Sequence, residues 1–220
     1  MPDPSFFKFC SEMLERYRDD ERVAHISGSN FLFGRQRIEG SYYFSRYPLT
    51  WGWATWRRSW QHFDFEMRSW SSGCARFIEK FARPEERGFW KSTYDDLHGR
   101  IDIWDYQWAL TCIDRDGLCV TPAVNLVANI GFGADATHTK SRLAAMRPTV
   151  GAMRFPLLHP SRFEAHDAAD AFTARRFFCR RSRFGKAIEA IRRRLLVAES
   201  RWHDRERSDA NTRALQKLRS

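Results

Sequence analysis

The sequence predicts an α/β fold, becoming α+β if part of the sheet is missing, from two observations: helical and strand-like segments alternate along the first 130 residues, and the chain opens directly on a helix. A complete doubly wound sheet would place several strands before its first helix. The opening helix follows from the spacing of Phe6, Phe7, Cys10, Met13, Leu14 and Tyr17, with Asp3 as its cap and Pro4 in its first turn. Residues 23–26 form a short apolar run that predicts a buried strand ending at Ser27-Gly28-Ser29-Asn30. Residues 42–47 predict a second strand, stopped by Pro48. Around Gly52 the chain turns into a helix carrying Trp56 and Trp60. Residues 74–98 predict one or two helices broken near Pro84, residues 103–113 a further helix, and residues 118–129 a strand. Residues 147–170 show little periodicity and predict an extended segment lying over the domain.

Charge divides the chain in two. Residues 171–220 hold 15 Lys and Arg against 5 Asp and Glu, which accounts for the whole net charge of +10. The body, 1–170, carries 22 of each sign, which argues against nucleic acid as its partner. The tail is predicted to be a basic amphipathic helix, with Phe184, Ile188, Ile191, Leu195 and Trp202 on one stripe. It reads either as a helix lying on an anionic membrane surface through 175–219, or as one docked on protein with a solvated basic face.

Five scattered cysteines without a CxxC pair favour unpaired thiols in a reducing compartment. Met1 is followed at once by Pro2, Asp3 and Pro4, and no apolar run has the length of a spanning helix. A cytoplasmic location is expected, with peripheral attachment at the inner membrane if the tail binds lipid.

Three clusters can carry chemistry. In Thr50-Trp51-Gly52-Trp53, a glycine between indoles lets backbone approach a ligand while the rings stack on sugar faces; by itself the cluster is better explained by a tight turn whose tryptophans plug the core. In Trp104-Asp105-Tyr106-Gln107-Trp108, a carboxylate among aromatic rings suits a base that takes a proton from a hydroxyl, and it also suits the start of a helix. Asp102 lies three residues before it. In Asp135-Ala136-Thr137-His138-Thr139, a loop histidine suits a metal or a phosphate.

Taken in order, Pro4-Ser5-Phe6-Phe7, Ser27-Gly28-Ser29-Asn30, Tyr42-Tyr43-Phe44-Ser45-Arg46-Tyr47-Pro48, Trp51-Gly52-Trp53-Ala54-Thr55-Trp56, Trp104-Asp105-Tyr106-Gln107-Trp108, Asn129-Ile130-Gly131-Phe132-Gly133 and Thr137-His138-Thr139 resemble bacterial nucleotide-diphospho-sugar glycosyltransferases of the family 2-like, GT-A group. N-acetylglucosaminyltransferase I is a more distant likeness. The resemblance covers residues 1–170 and implies a partial GT-A domain on the acceptor side, followed by the tail at 171–220. It implies Asp105 as catalytic base and the Trp51, Gly52, Trp53 and Trp104 region as the border of the sugar site. It further implies Ser29 and Asn30 as a donor-side loop and His138 as a ligand for a divalent metal, manganese or magnesium. Nucleotide sugar and a glycan or lipid-linked acceptor would be the ligands.

Members of that group carry an acidic metal-binding triplet a few residues before the first helix, where this sequence has Met1-Pro2-Asp3-Pro4. A fragment inactive by itself is therefore expected, with an apolar seam exposed where the rest of the sheet belongs. The alternative is a non-catalytic module that binds carbohydrate or a protein partner through its tryptophans.

Overall fold

The computed structural model describes residues 1–97, 104–128, 130 and 148–179. Helix α1, Ser5–Arg16, buries Phe6, Phe9, Cys10 and Met13, the three- and four-residue spacing that puts one stripe on the core. Its N-cap position is Pro4; Asp3, expected to cap it, stands one residue earlier, where its Oδ1 accepts from Ser5 N at 2.9 Å. Strand β1, Val23–Ser27, is buried along its whole length, as a strand inside a sheet should be. Strands β2, Tyr42–Ser45, and β3, Trp53–Ala54, follow, then the short α2, Arg57–Trp60. Helices α3, Arg68–Glu79, and α4, Pro84–Leu97, resolve the segment read as one or two helices; Pro84 opens α4, where its missing N–H costs nothing. Helix α5, Asp105–Asp114, leads into β4, Leu118–Pro122.

The sheet is mixed, in the order β2-β4-β1-β3. The two inner strands β1 and β4 run parallel, and β2 and β3 pair antiparallel to them on the outside. Helices and a four-stranded mixed sheet place the chain in the general α/β or α+β class.

The strand read over 118–129 ends at Pro122. Beyond it Asn125 redirects the backbone: its Oδ1 accepts from Asn30 N at 3.0 Å, and its Nδ2 donates to the carbonyls of Val127 and Pro148. Residues 148–166 are irregular and lie over α1 and β2. Met153 and Leu157 join the core beneath α1, Met153 N donates to Ser5 Oγ at 2.8 Å, and Ala165 bridges to Phe44. That bridge lies on the outer edge of β2, and β3, on the opposite edge, has only two residues. Helix α6, Asp167–Thr173, replaces part of the predicted extended segment. His166 caps it, accepting from Ala169 N at 3.3 Å.

Residues 174–178 continue α6 as a π-helical turn that returns to the body. Phe177 stacks on Phe31 with ring centroids 3.9 Å apart, and Phe178 packs on Tyr47 and Trp90. Met1–Cys179 makes one compact unit. The predicted amphipathic stripe from Phe184 to Trp202 lies outside the described residues. Among the described residues, no helix is long and apolar enough to cross a membrane.

Candidate functional site

The turn at Trp51-Gly52 is held by the end of β1. Ser27 Oγ accepts from Leu49 N at 3.1 Å, Ser29 Oγ donates to Trp51 O at 2.6 Å, and Gly28 N donates to Gly52 O at 2.7 Å. Gly52 has φ +68°, a left-handed conformation that favours glycine, and a Cβ there would stand 2.6 Å from Val127 Cγ2. Gly28 is equally confined, because a Cβ would meet the Phe6 ring at 2.6 Å. Two glycines thus let the backbone of the turn and of the segment after β1 pass close to Val127 and Phe6.

Asp105 stands in the first turn of α5, and its Oδ1 accepts from Tyr106 N at 3.0 Å. It stands at the head of a helix and at the border of a cleft. That cleft, of about 160 Å³, is lined by Asp105 and Tyr106 from α5, by Trp51 and Phe31, by Trp90 of α4, and by Phe177. The structure therefore brings Trp51 and Asp105 to one cavity, although 54 positions separate them in sequence. The volume lies below the roughly 300–1,000 Å³ of typical small-molecule sites.

Trp53 and Trp104 belong to a neighbouring stack. Trp53 lies on the imidazole of His25, with centroids 5.3 Å apart and planes 16° apart, and it also stacks on Trp104 at 5.5 Å. His25 is fully buried in β1. Trp108 Nε1 donates to its Nδ1 at 3.0 Å, and its Nε2 donates to Leu49 O at 3.2 Å. Both ring nitrogens are satisfied in the neutral form, and burial pushes the pKa down to about 3. A rigid, uncharged ring thus supports Trp53. Trp104, the residue before Asp105, is 40% exposed at the end of this support.

Ser29 and Asn30 are buried, and their polar groups bond within the chain. Besides the Ser29 bond to Trp51, Asn30 Nδ2 donates to the carbonyls of Pro122 and Ala123, while its Oδ1 accepts from Leu32 N at 2.7 Å. These two residues tie the loop after β1 to the end of β4, and the structure does not bring them to the cleft lining. Asp102 and His138 lie outside the described residues. Among the described residues, no group of three or more His, Cys, Asp or Glu stands where it could hold a metal ion.

The sequence reading missed three contributors. His25 was hidden in an apolar strand, where a histidine carries no sign of its ring partners. Trp90 was one of many helix tryptophans. Phe177 fell in the stretch read as tail, and nothing local marks it as part of a cavity wall. No protein-family model, curated protein or solved structure matches the chain.

Proposed function

We propose that the chain is the acceptor side of a nucleotide-sugar-dependent glycosyltransferase of the GT-A type, with Asp105 as the base. The observation that carries this reading is the placement of the Asp105 carboxylate and Trp51 around one small cleft, next to the exposed ring of Trp104. An aromatic wall binds the C–H faces of a pyranose and excludes water, while a carboxylate at its border can accept a proton from a hydroxyl. Tyr106 N–H holds Oδ1, so Oδ2 is the oxygen assigned to that proton. In the transfer step the acceptor O–H bond breaks towards Asp105 as the acceptor oxygen forms a bond to the anomeric carbon. The bond from that carbon to the diphosphate breaks, and its electron pair leaves with the nucleoside diphosphate. Asp105 afterwards returns the proton to water.

A second reading, a carbohydrate-binding module without catalysis, is favoured by one observation: Ser29 and Asn30, assigned to the donor side, are used inside the fold. Both readings are tested on the whole chain with a glycan array followed by nucleotide-sugar turnover in the presence of the glycans that bind. Glycan binding by the chain, with turnover only when a donor-side segment carrying the acidic metal triplet is supplied and a fall of about 10²–10⁴-fold in Asp105→Asn, supports the transferase, since that is the usual contribution of a general base. Glycan binding that weakens in Trp104→Ala, with no turnover in any variant, supports the module. Neither binding nor turnover overturns both.

A further inference from the structure

Part of the cleft at Asp105 is filled by the chain's own later residues. Helix α6 is fixed on β2: Asp170 accepts from Ser45 Oγ at 2.6 Å and from Arg46 N at 2.9 Å, and Ala169 packs with Leu32 and Tyr43. From Ala174 the backbone widens into the π turn, where Cys179 N donates to Ala174 O at 2.7 Å, five residues back. Single π turns are rare and occur often at functional sites. This one brings Phe177 and Phe178 into the cleft lining. Phe177 stacks on Phe31, and Phe178 stands against Tyr47, Phe89 and Trp90 with centroids 5.0, 5.7 and 5.1 Å away.

We infer that Phe177 and Phe178 are a self-inhibitory plug: they occupy part of the Asp105 site, and a ligand enters by displacing them while α6 stays in place. The inference rests on the reading of that cleft as the ligand site and adds its regulation. Both residues lie beyond 1–170, so the plug is no part of the resemblance. Two observations favour a removable plug over a permanent wall. The cleft holds only about 160 Å³, below a typical small-molecule site, with two phenyl rings standing at its boundary. Trp90, against which Phe178 packs, is 1% exposed, and its Nε1 has no hydrogen-bond partner among the described residues. Burying the rings favours closure, whereas a buried donor without an acceptor opposes it. Withdrawal of Phe178 from the Trp90 ring opens a route by which that N–H meets water or an oxygen of the ligand.

The plug also differs from the core it touches. Phe77, Phe81 and Tyr94 are at most 2% exposed, whereas Phe177 and Phe178 are half-buried and follow the exposed Arg175 and Arg176. A site that is free in only a fraction of molecules binds with an affinity lowered by that fraction. Weakening a plug therefore strengthens binding, whereas removing a wall residue that touches the ligand weakens it.

The test has two arms, both on the whole chain. A glycan array at graded protein concentrations compares the wild type with Phe177→Ala and Phe178→Ala. The variants are expected to bind the same glycans with an affinity about tenfold higher. Unchanged or weaker binding in both variants overturns the plug and leaves the Asp105 cleft standing as the site. The second arm needs neither ligand nor variant: indole N–H exchange in the isotope-labelled wild type, followed by NMR at low urea concentrations. Trp90 Nε1–H is expected to exchange at a rate independent of urea, through local release of the plug. Trp108 Nε1–H, buried and bonded to His25 Nδ1, reports global unfolding, and its exchange is expected to quicken with urea. The same urea dependence for both indoles also overturns the plug. If no glycan binds any of the three proteins, the carbohydrate reading falls, and the exchange arm alone decides the plug.

Discussion

Acid exposes two buried titrating groups that oppose each other. His25 is held neutral with a pKa pulled from 6.5 to about 3 by burial, because an imidazolium there would have no water around it. Between those values the unfolded chain binds a proton that the folded one does not. The His25 contribution is therefore complete above pH 6.5 and is lost as pH falls towards 3. The slope is roughly 1.4 kcal/mol per pH unit, or about 5 kcal/mol over the whole window. Asp170 has the reverse sign. It accepts from Ser45 Oγ at 2.6 Å and Arg46 N at 2.9 Å, yet burial dominates and raises its pKa from 3.8 to about 6. Here the folded chain holds the extra proton, so its contribution is present below pH 3.8 and is lost as pH rises through 6.

From pH 6 to 4 the two slopes cancel, and the pair costs the wild type only about 1 kcal/mol between pH 6.5 and 4. Asp170→Asn removes the opposing slope, and stability then falls by about 3 kcal/mol more between pH 6 and 4. Urea unfolding followed by tryptophan fluorescence at pH 7, 6, 5 and 4 reads the difference. Carboxylates on the surface titrate in both proteins and drop out of the comparison. Loss of the Arg46 N–H bond shifts the whole variant curve without changing its slope. Parallel curves for the two proteins would refute the Asp170 part, since Asp170 would then not hold its proton, and a variant curve flat between pH 6 and 4 would refute the His25 part.

Two further outcomes follow from the close crossing at β1. Gly52→Ala should cost roughly 1–2 kcal/mol for a left-handed backbone and roughly 1–3 kcal/mol for the contact with Val127. In a Val127→Ala background only the first part should remain, and equal costs in both backgrounds would deny the contact. Asn30→Ala should destabilise by about 3 kcal/mol, because Leu32 N and the carbonyls of Pro122 and Ala123 lose their partner together. A thermal midpoint close to that of the wild type would show that the asparagine does not hold the β1 and β4 loops together.

The elements nearest to local rules were legible before any coordinates. The spacing from Phe6 to Tyr17 defines α1, Pro84 divides α3 from α4, and Gly52 marks a turn, because each depends on interactions within a few residues. Asp105 was legible as the head of a helix for the same reason. By contrast, only the tertiary structure decided that β1 lies beside β4, that Phe177 lines the same cleft as Trp51, and that His25 supports Trp53. Ser29 and Asn30 show the difference most clearly. Their sequence, a polar loop after a strand, fits either a ligand or the protein's own backbone, and the outcome depends on whether Trp51, Pro122 and Ala123 arrive to take their hydrogen bonds. Short-range propensity is written residue by residue. The partners of a buried polar group or an aromatic ring come from distant parts of the chain, and only packing of the whole core selects them.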